Sequence, residues 1–288
     1  MRAAKCISFA VNLCYDNIYK KSIPCKRGKS RTMQDKEVSQ FLHILIQMGE
    51  ALKNCGAEVY RVEDTLNRIA KAYGAQEVNV FVITSSIVVT LTMPGTEPKT
   101  QTRRLRKGSS TDLLMLEELN ALSRRICARP PAVEEFEREL GGITLCQPDP
   151  VLLLIGSILG AGCSTIFFGG TLTDGFLAGC IAVLIFFMQQ KLGAFCANQI
   201  EFQFIAAFIS GTAVFLLCGF LPMLHADKVI IGDIMLLIPG MMLTNAVSDI
   251  LLGDIISGSM RLIEAVLLAA SLALGIMAAI LFTQGVFF

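Results

Sequence analysis

The sequence predicts an α-helical polytopic membrane domain of about five transmembrane helices, preceded by a small α+β domain. Of the 288 residues, 53% are hydrophobic and 17% are charged, whereas soluble domains average about 45–50% and 25%. The charges are also unevenly distributed. Residues 1–150 hold 22 of the 25 Lys and Arg and have a net charge of +5, while residues 151–288 have a net charge of −4. This asymmetry excludes a single soluble domain and a membrane protein without a sizeable aqueous part.

Residues 1–32 are predicted to be a basic, disordered leader. Their apolar stretch, residues 6–15, is too short for a secretory signal and lacks a clear cleavage site. Met33 directly precedes a well-patterned helix and is an alternative start of the protein.

Residues 33–150 carry the pattern of a small α+β domain. Apolar residues at spacings of three and four predict helices from residue 38 to Gly56 and over 58–72. The Val, Ile and Thr-rich segment 77–93 predicts a hairpin that turns at 84–86. Segment 94–108 is a loop or includes an edge strand, and further helices are expected at 112–128 and 132–141.

Composition argues against catalysis in this domain. It contains no phosphate-binding loop, no Ser-His-Asp set and no cluster of metal ligands, and the ten cysteines are scattered without a C-x-x-C pair. We therefore predict no enzyme activity, cofactor, metal site or nucleic-acid partner. A run of basic residues is interpreted as a solvated or lipid-facing surface rather than an anion site: Arg103, Arg104, Arg106 and Lys107.

The second half of the chain contains five apolar segments long enough to cross a bilayer, at residues 151–170, 175–190, 202–221, 229–252 and 265–287. If the basic domain is cytoplasmic, the positive-inside rule is met by Lys191 and Arg261, and the C-terminus lies outside. Two small-residue pairs are expected to serve helix packing, namely Gly156 with Gly160 and Gly175 with Gly179.

The fourth segment holds the polar residues that most resemble a functional site. Pro239 and Gly240 interrupt it, and Asn245 and Asp249 follow one helical turn apart. A broken helix at mid-membrane directs its half-helix ends at a substrate or ion, and an intramembrane carboxylate marks a functional site. Asp249 is therefore either functional or an interfacial partner of Arg261. Other carboxylates of this half are expected at the membrane interface, with Glu264 able to pair with Arg261: Asp174, Glu201, Asp233, Asp254 and Glu264. Asp233, Asp254 and Arg261 are at the same time candidates for the substrate or ion pathway, together with Pro239, Gly240, Asn245 and Asp249.

Three segments carry a resemblance to a known family. They are GAEVYRVEDTLNRIAKAYG (56–74), ITSSIVVTL (83–91) and LIPGMMLTNAVSDILLGDIISGSMRLIEA (237–265). Over residues 35–285 the chain resembles the threonine/serine exporter family, in particular the larger component of its split form. The matching positions include Pro239, Gly240, Asn245, Asp249 and Arg261 in the membrane motif, and Arg61, Glu63 and Asp64 in the soluble motif.

The resemblance implies a cytoplasmic domain followed by five helices in a bacterial inner membrane, and secondary transport driven by the proton-motive force. Fused members carry a second set of membrane helices, so we expect a separate small membrane subunit as partner, as in the two-component exporters of this family that release succinate. Further copies of this chain, in a homo-oligomer, are the other candidate partner.

The leading hypothesis is a subunit that exports threonine, serine or a dicarboxylate. The metabolite would bind near the Pro239–Gly240 break, with Asp249 as proton or cation carrier. A membrane-anchored sensor or scaffold is an alternative. An intramembrane protease is disfavoured, because the Gly232–Asp233 and Gly253–Asp254 pairs lack the preceding glycine of the Gly-x-Gly-Asp pattern.

Overall fold

The structure, a computed structural model, describes residues 35–105, 112–145, 149–192, 196, 198–221 and 223–287. The predicted leader at 1–32 and the alternative start at Met33 lie outside these residues, as do Arg106 and Lys107 of the basic run.

Within the described residues, the N-terminal region is an α+β fold. Its elements are α1 (Asp35–Asn54), α2 (Val59–Ala72), β1 (Glu77–Ile83), β2 (Ser86–Thr92), β3 (Lys99–Arg104), α3 (Leu113–Ala128) and α4 (Val133–Leu145). The strands form an antiparallel sheet in the order β1-β2-β3. The predicted helices and hairpin are confirmed, and segment 94–108 does contain an edge strand. Helix α4 continues past the expected end at Gly141 because Ile143 packs against the core.

One hydrophobic core joins the helices to the sheet. Central strand β2 alternates buried and half-buried side chains, as expected for a strand with one face on a core. That face packs with side chains from all four helices, including Phe41, Leu66, Leu122 and Phe136. The side chain of Asp112 accepts a hydrogen bond from the Met115 amide and so caps α3, as its position before the helix predicts.

The C-terminal region is entirely helical where it is described. It contains α5 (Pro150–Phe167), α6 (Leu172–Lys191), α7 (Gln199–Phe220), α8 (Ala226–Leu237), α9 (Gly240–Leu251) and α10 (Ile255–Phe287). Four of these helices, α5, α6, α7 and α10, are long and apolar enough to cross a membrane. Helices α8 and α9 qualify together as one span that is bent by 55°, which brings the number to five. The predicted polytopic fold and the predicted break at Pro239–Gly240 are both confirmed.

Two predicted boundaries need correction. Helix α10 begins at Ile255 instead of 265, so Arg261 and Glu264 lie inside the helix and not in the connection before it. Helix α6 begins at Leu172 and has 20 residues, because Thr171 and Asp174 form a capping box that places the Asp174 carboxylate within the first turn. The second span, predicted at residues 175–190, therefore has the length that crossing a bilayer requires.

Glycines set the close helix contacts, but not all of those expected. A Cβ atom on Gly175 would lie 3.1 Å from the Gly162 carbonyl oxygen of α5, and one on Gly179 would lie 3.2 Å from Ile158. By contrast, apart from neighbouring residues of α5 itself, no described atom lies within 4 Å of such a Cβ on Gly156 or Gly160. The packing role predicted for Gly156 and Gly160 is therefore wrong within this chain, because α5 turns a different face towards α6 and α8.

Candidate functional site

The N-terminal region is held to α9 and α10 by the short connection between α1 and α2. Gly56 ends α1 with a φ of 90°, a left-handed conformation that glycine adopts without strain. The Gly56 carbonyl oxygen then accepts a hydrogen bond of 2.7 Å from Nδ2 of Asn245 in α9. We call this meeting point of residues 53–59 with Asn245, Asp249 and Arg261 the junction.

A buried ion pair lies at the centre of the junction. Arg261 of α10 donates from Nη1 to Oδ2 of Asp249 at 2.9 Å, and from Nη2 to the Ala57 carbonyl oxygen at 2.9 Å. The Asp249 and Arg261 side chains are 0% and 5% exposed. Such a pair persists in the interior only when further hydrogen bonds complete it.

Asp249 also completes the first turn of α2. The amide of Val59, the first residue of that helix, donates to Oδ1 of Asp249 at 3.1 Å. Glu58 at the N-cap position provides no side-chain hydrogen bond, so a carboxylate 190 positions away in the sequence serves as the cap. Negative charge is favourable at a helix N-terminus. The pairing of Asp249 with Arg261, which the sequence offered as one of two alternatives, is therefore present, although the pair is buried. Asp249 also joins the N-terminal region to the helical region through its hydrogen bond from Val59.

A second buried cation, Lys53 in the last turn of α1, completes the charged cluster. Its side chain is nearly inaccessible, and no described residue provides a hydrogen-bond partner for its Nζ atom. Burial and, to a smaller extent, the positive charge of Arg261 lower the pKa of Lys53 from 10.5 to about 7, although the negative charges of Asp249 and Asp254 act in the opposite direction. Burial, followed by the negative charge of Asp249, raises the pKa of the half-buried Asp254.

The Lys53 environment predicts a pH-dependent stability. The unfolded chain keeps the ordinary lysine pKa of 10.5, so between pH 7 and 10.5 it binds more protons than the folded chain. Stability therefore rises with pH across this window, and below pH 7 the destabilisation by a charged Lys53 is fully present. We expect Lys53→Met to raise the melting temperature at pH 7, with a gain over wild type that shrinks towards pH 10. The matched control is Lys71→Met at an exposed position of α2. Equal pH profiles for all three proteins would contradict this account.

The predicted residues of the soluble motif are not part of the junction. Glu63 accepts a hydrogen bond of 2.9 Å from the Val82 amide and so joins α2 to β1, and burial raises its pKa. Asp64 pairs with Arg68 at 2.8 Å within α2. Arg61 is half exposed and lies 3.3 Å from Glu58. Glu63 therefore stabilises the N-terminal fold, whereas Asp64 and Arg61 form ion pairs at its surface.

The broken span leaves unpaired backbone groups at its centre. Pro239 provides no side-chain cap for α9. The Gly240 amide donates to the Ile238 carbonyl oxygen at 2.8 Å, so the amide groups of Met241 and Met242 are those that the first turn leaves without an intrahelical acceptor. On the other side of the break, the Leu237 carbonyl oxygen accepts a hydrogen bond from Nε2 of Gln203 in α7. A side chain from a neighbouring span therefore binds the backbone on the first side of the break.

Two carboxylates predicted at the interface are buried instead. Asp233 is 3% exposed, because α8 begins at Ala226 and places Asp233 about two turns into the helix. Asp174 is fully buried. It accepts hydrogen bonds from the Thr171 amide at 2.8 Å and the His225 amide at 2.9 Å, with His225 Nδ1 at 3.1 Å. Asp174 thus ties the start of α6 to the start of α8.

Several contributors to these sites were not predicted from the sequence. Lys53 has the pattern of an ordinary basic residue in a last helical turn, and the carbonyl groups of Gly56 and Ala57 carry no sequence signal. His225 resembles a loop residue. Gln203 did carry a signal, since it is a polar side chain inside an apolar span.

The fold and the site define a polytopic helical membrane protein whose N-terminal α+β region binds the second half of a broken span. The family model described as "Putative threonine/serine exporter" matches residues 43–283, and the chain belongs to this family.

A relative in Mycobacterium tuberculosis, named "Probable threonine/serine exporter", is 25% identical over 265 residues. The aligned part covers 88% of this chain and 49% of the relative, so the chain spans about half the length of the curated relative that it matches. No solved structure matches the chain.

Proposed function

We propose that the chain is a subunit of a secondary-active exporter in a bacterial inner membrane, which moves threonine, serine or a dicarboxylate such as succinate out of the cell. Membership of the exporter family supports export over catalysis. The observation that carries the proposal is the span bent by 55° between Leu237 and Gly240, because broken helices form substrate sites in many secondary transporters.

The break has the chemistry to hold a carboxylate. The amide groups of Met241 and Met242 in the first turn of α9, together with the positive end of its dipole, favour a negatively charged group. Threonine, serine and succinate share a carboxylate and are otherwise small and polar. We propose that this carboxylate binds at the start of α9, next to Pro239 and Gly240.

The N-terminal region is proposed to lie in the cytoplasm and to control access to the break. The sequence also predicts Asp249 as the proton or cation carrier. Because Asp249 already accepts hydrogen bonds from Arg261 and Val59, we propose instead that it couples the N-terminal region to α9. A displacement of the N-terminal region would then pull directly on the second half of the broken span.

A second, small membrane subunit is proposed to complete the exporter, and the pH gradient is proposed to drive it. The resemblance to the split form of the family supports both proposals. The assay of export therefore includes cells with and without the protein encoded in the neighbouring reading frame.

Export is tested in cells that express the full chain and are loaded with threonine, serine or succinate. We expect faster efflux of at least one of them than from cells without the chain, and loss of that efflux in Pro239→Ala, which returns a backbone N–H donor to the break and so favours a continuous helix. Pro150→Ala, at the first turn of α5 and away from the break, is the matched control and should export like wild type. Efflux that is equal with and without the chain would contradict the proposal.

A further inference from the structure

A second carboxylate, distinct from the junction, lies inside the helical region. Asp233 of α8 is 3% exposed, and neither of its carboxylate oxygens has a hydrogen-bond partner among the described residues. Its side chain lines a cavity of about 10 Å³ between α7, α8 and α10. The other lining residues are Ala207, Ser210, Gly211, Val214, Ile230, Ile234, Leu237 and Ile276.

The size and lining of this cavity restrict what it binds. A volume of about 10 Å³ has room for about one water molecule, so a metabolite such as threonine does not fit. A metal cation needs several oxygen ligands, and the lining provides only the Asp233 carboxylate and the Ser210 hydroxyl as side-chain oxygens. The described residues also contain no cluster of three or more metal-binding side chains. A proton is the ligand that fits.

Among the residues that the structure describes, no charged side chain other than Asp233 lines the cavity, so none there compensates an ionised Asp233. Helix α8 packs against α5, α6 and α7. α5 presents the neutral Thr165 next to Gly232, α7 presents Ser210, and α10 presents Ile276. The helices around the cavity carry other titratable side chains, and all of those described lie outside the cavity lining. They are Cys163, Asp174, Cys180, Lys191, Glu201, Cys218, Asp227, Lys228, Arg261 and Glu264. Burial of an unpaired carboxylate is strongly unfavourable, whereas a protonated carboxyl group is tolerated.

We propose that Asp233 is the proton-binding carboxyl group of this protein, protonated while the cavity is closed and deprotonated when the cavity opens to water. The proposal rests on the proposed exporter function and names the group that couples it to a proton gradient. One proton adds to an Asp233 oxygen from water on one side of the membrane and returns to water on the other, with no other bond changed.

The position of Asp233 relative to the break explains how the proton would act. Leu237 lines the cavity one turn beyond Asp233, and the carbonyl oxygen of Leu237 accepts the hydrogen bond from Gln203 that holds the break. Hydration of an ionised Asp233 requires α7 and α8 to separate, and this separation also breaks the Gln203 contact. The protonated state therefore favours the closed arrangement of α7, α8 and the break.

Infrared spectroscopy of the purified full chain tests the proton site without a transport assay. We expect the C=O stretch of a protonated, buried carboxyl group at pH 7, absent in Asp233→Asn and retained in Asp227→Asn. Asp227 is an exposed carboxylate on the same helix and is the matched control. If Asp233→Asn does not fold, Asp233→Glu should keep the band at a shifted frequency. A spectrum at pH 7 without such a band, or a band unchanged in Asp233→Asn and Asp233→Glu, would overturn the proposal.

Transport in liposomes then separates this inference from the proposed function. With the exporter active, we expect Asp233→Asn to lose efflux driven by a pH gradient and to keep exchange of labelled for unlabelled metabolite. Gradient-driven efflux that survives in Asp233→Asn would overturn the proton-coupling role of Asp233 and leave the proposed exporter function in place. An infrared band assigned to Asp233 in a wild-type chain that moves no metabolite would overturn the exporter function and leave the proton site in place.

Discussion

Replacing Asp249 with alanine is expected to lower the free energy of unfolding by about 3–5 kcal/mol. The change leaves the Arg261 guanidinium, which is 5% exposed, without its carboxylate and leaves the Val59 amide without an acceptor. It removes contacts from both sides of the junction at once. We expect the N-terminal region to separate from α9 and α10 before either region unfolds.

Two readouts measure this effect. Chemical unfolding of the full chain in detergent gives the change in free energy, and hydrogen exchange at the Val59 amide reports the local contact. Asp249→Asn keeps an acceptor oxygen and should lose less than Asp249→Ala. The matched control is Glu264→Ala, an exposed carboxylate on α10, expected to change stability by no more than about 0.5 kcal/mol. Unchanged protection of the Val59 amide in Asp249→Ala would contradict the junction.

Replacing Gly232 with alanine is expected to have the second large effect, about 1–3 kcal/mol of destabilisation. A Cβ atom at this position would lie 2.7 Å from the Ala161 carbonyl oxygen and would overlap the Thr165 hydroxyl group. That hydroxyl already donates to the same carbonyl oxygen at 2.9 Å. Helices α5 and α8 must therefore move apart where they cross at Gly232, and the packing between them is lost on both sides of this crossing.

The melting temperature of the purified full chain checks this effect, with Gly160→Ala as control. Gly160 lies in α5 as well, but apart from neighbouring residues of α5 no described atom lies within 4 Å of a Cβ atom built there. Its replacement should therefore leave stability unchanged or slightly raised. Thr165→Ala should partly rescue Gly232→Ala, because it removes the hydroxyl group and leaves the backbone oxygen. Equal melting temperatures for Gly232→Ala and Gly160→Ala would show that α5 and α8 do not cross at this point.

The elements of this fold were predictable because their signals are local. The spacing of apolar residues in α1 and α2, the Val and Ile content of β1 and β2, and the length of the apolar spans are all properties of short windows. The break was predictable for the same reason, since Pro239 removes a backbone donor wherever it stands in a helix.

The contacts of the candidate site were less predictable because they join distant positions. Asp249 and Val59 are 190 positions apart, and Arg261 and Ala57 are 204 apart. The sequence marks Asp249 as a costly carboxylate and Arg261 as a possible partner. It gives no sign that both bind the backbone of the α1–α2 connection, or that Lys53 is buried beside them.

The burial of Asp233 and Asp174 also depends on tertiary structure. Both residues stand near predicted span ends, where carboxylates are usually solvated. Their burial follows from helix starts a few residues earlier than the apolar pattern suggests. Asp174 receives hydrogen bonds from Thr171 and His225 once these starts meet, whereas Asp233 receives none from the described residues.

The release of labelled threonine, serine or succinate from liposomes is the most direct measurement of the export that we propose through the broken span. The liposomes contain the purified full chain, alone and with its companion subunit, under an imposed pH gradient. We expect gradient-dependent release of at least one metabolite, faster than from liposomes without protein. No release above that level, from a chain whose Val59 amide remains protected from exchange, would contradict the proposed export.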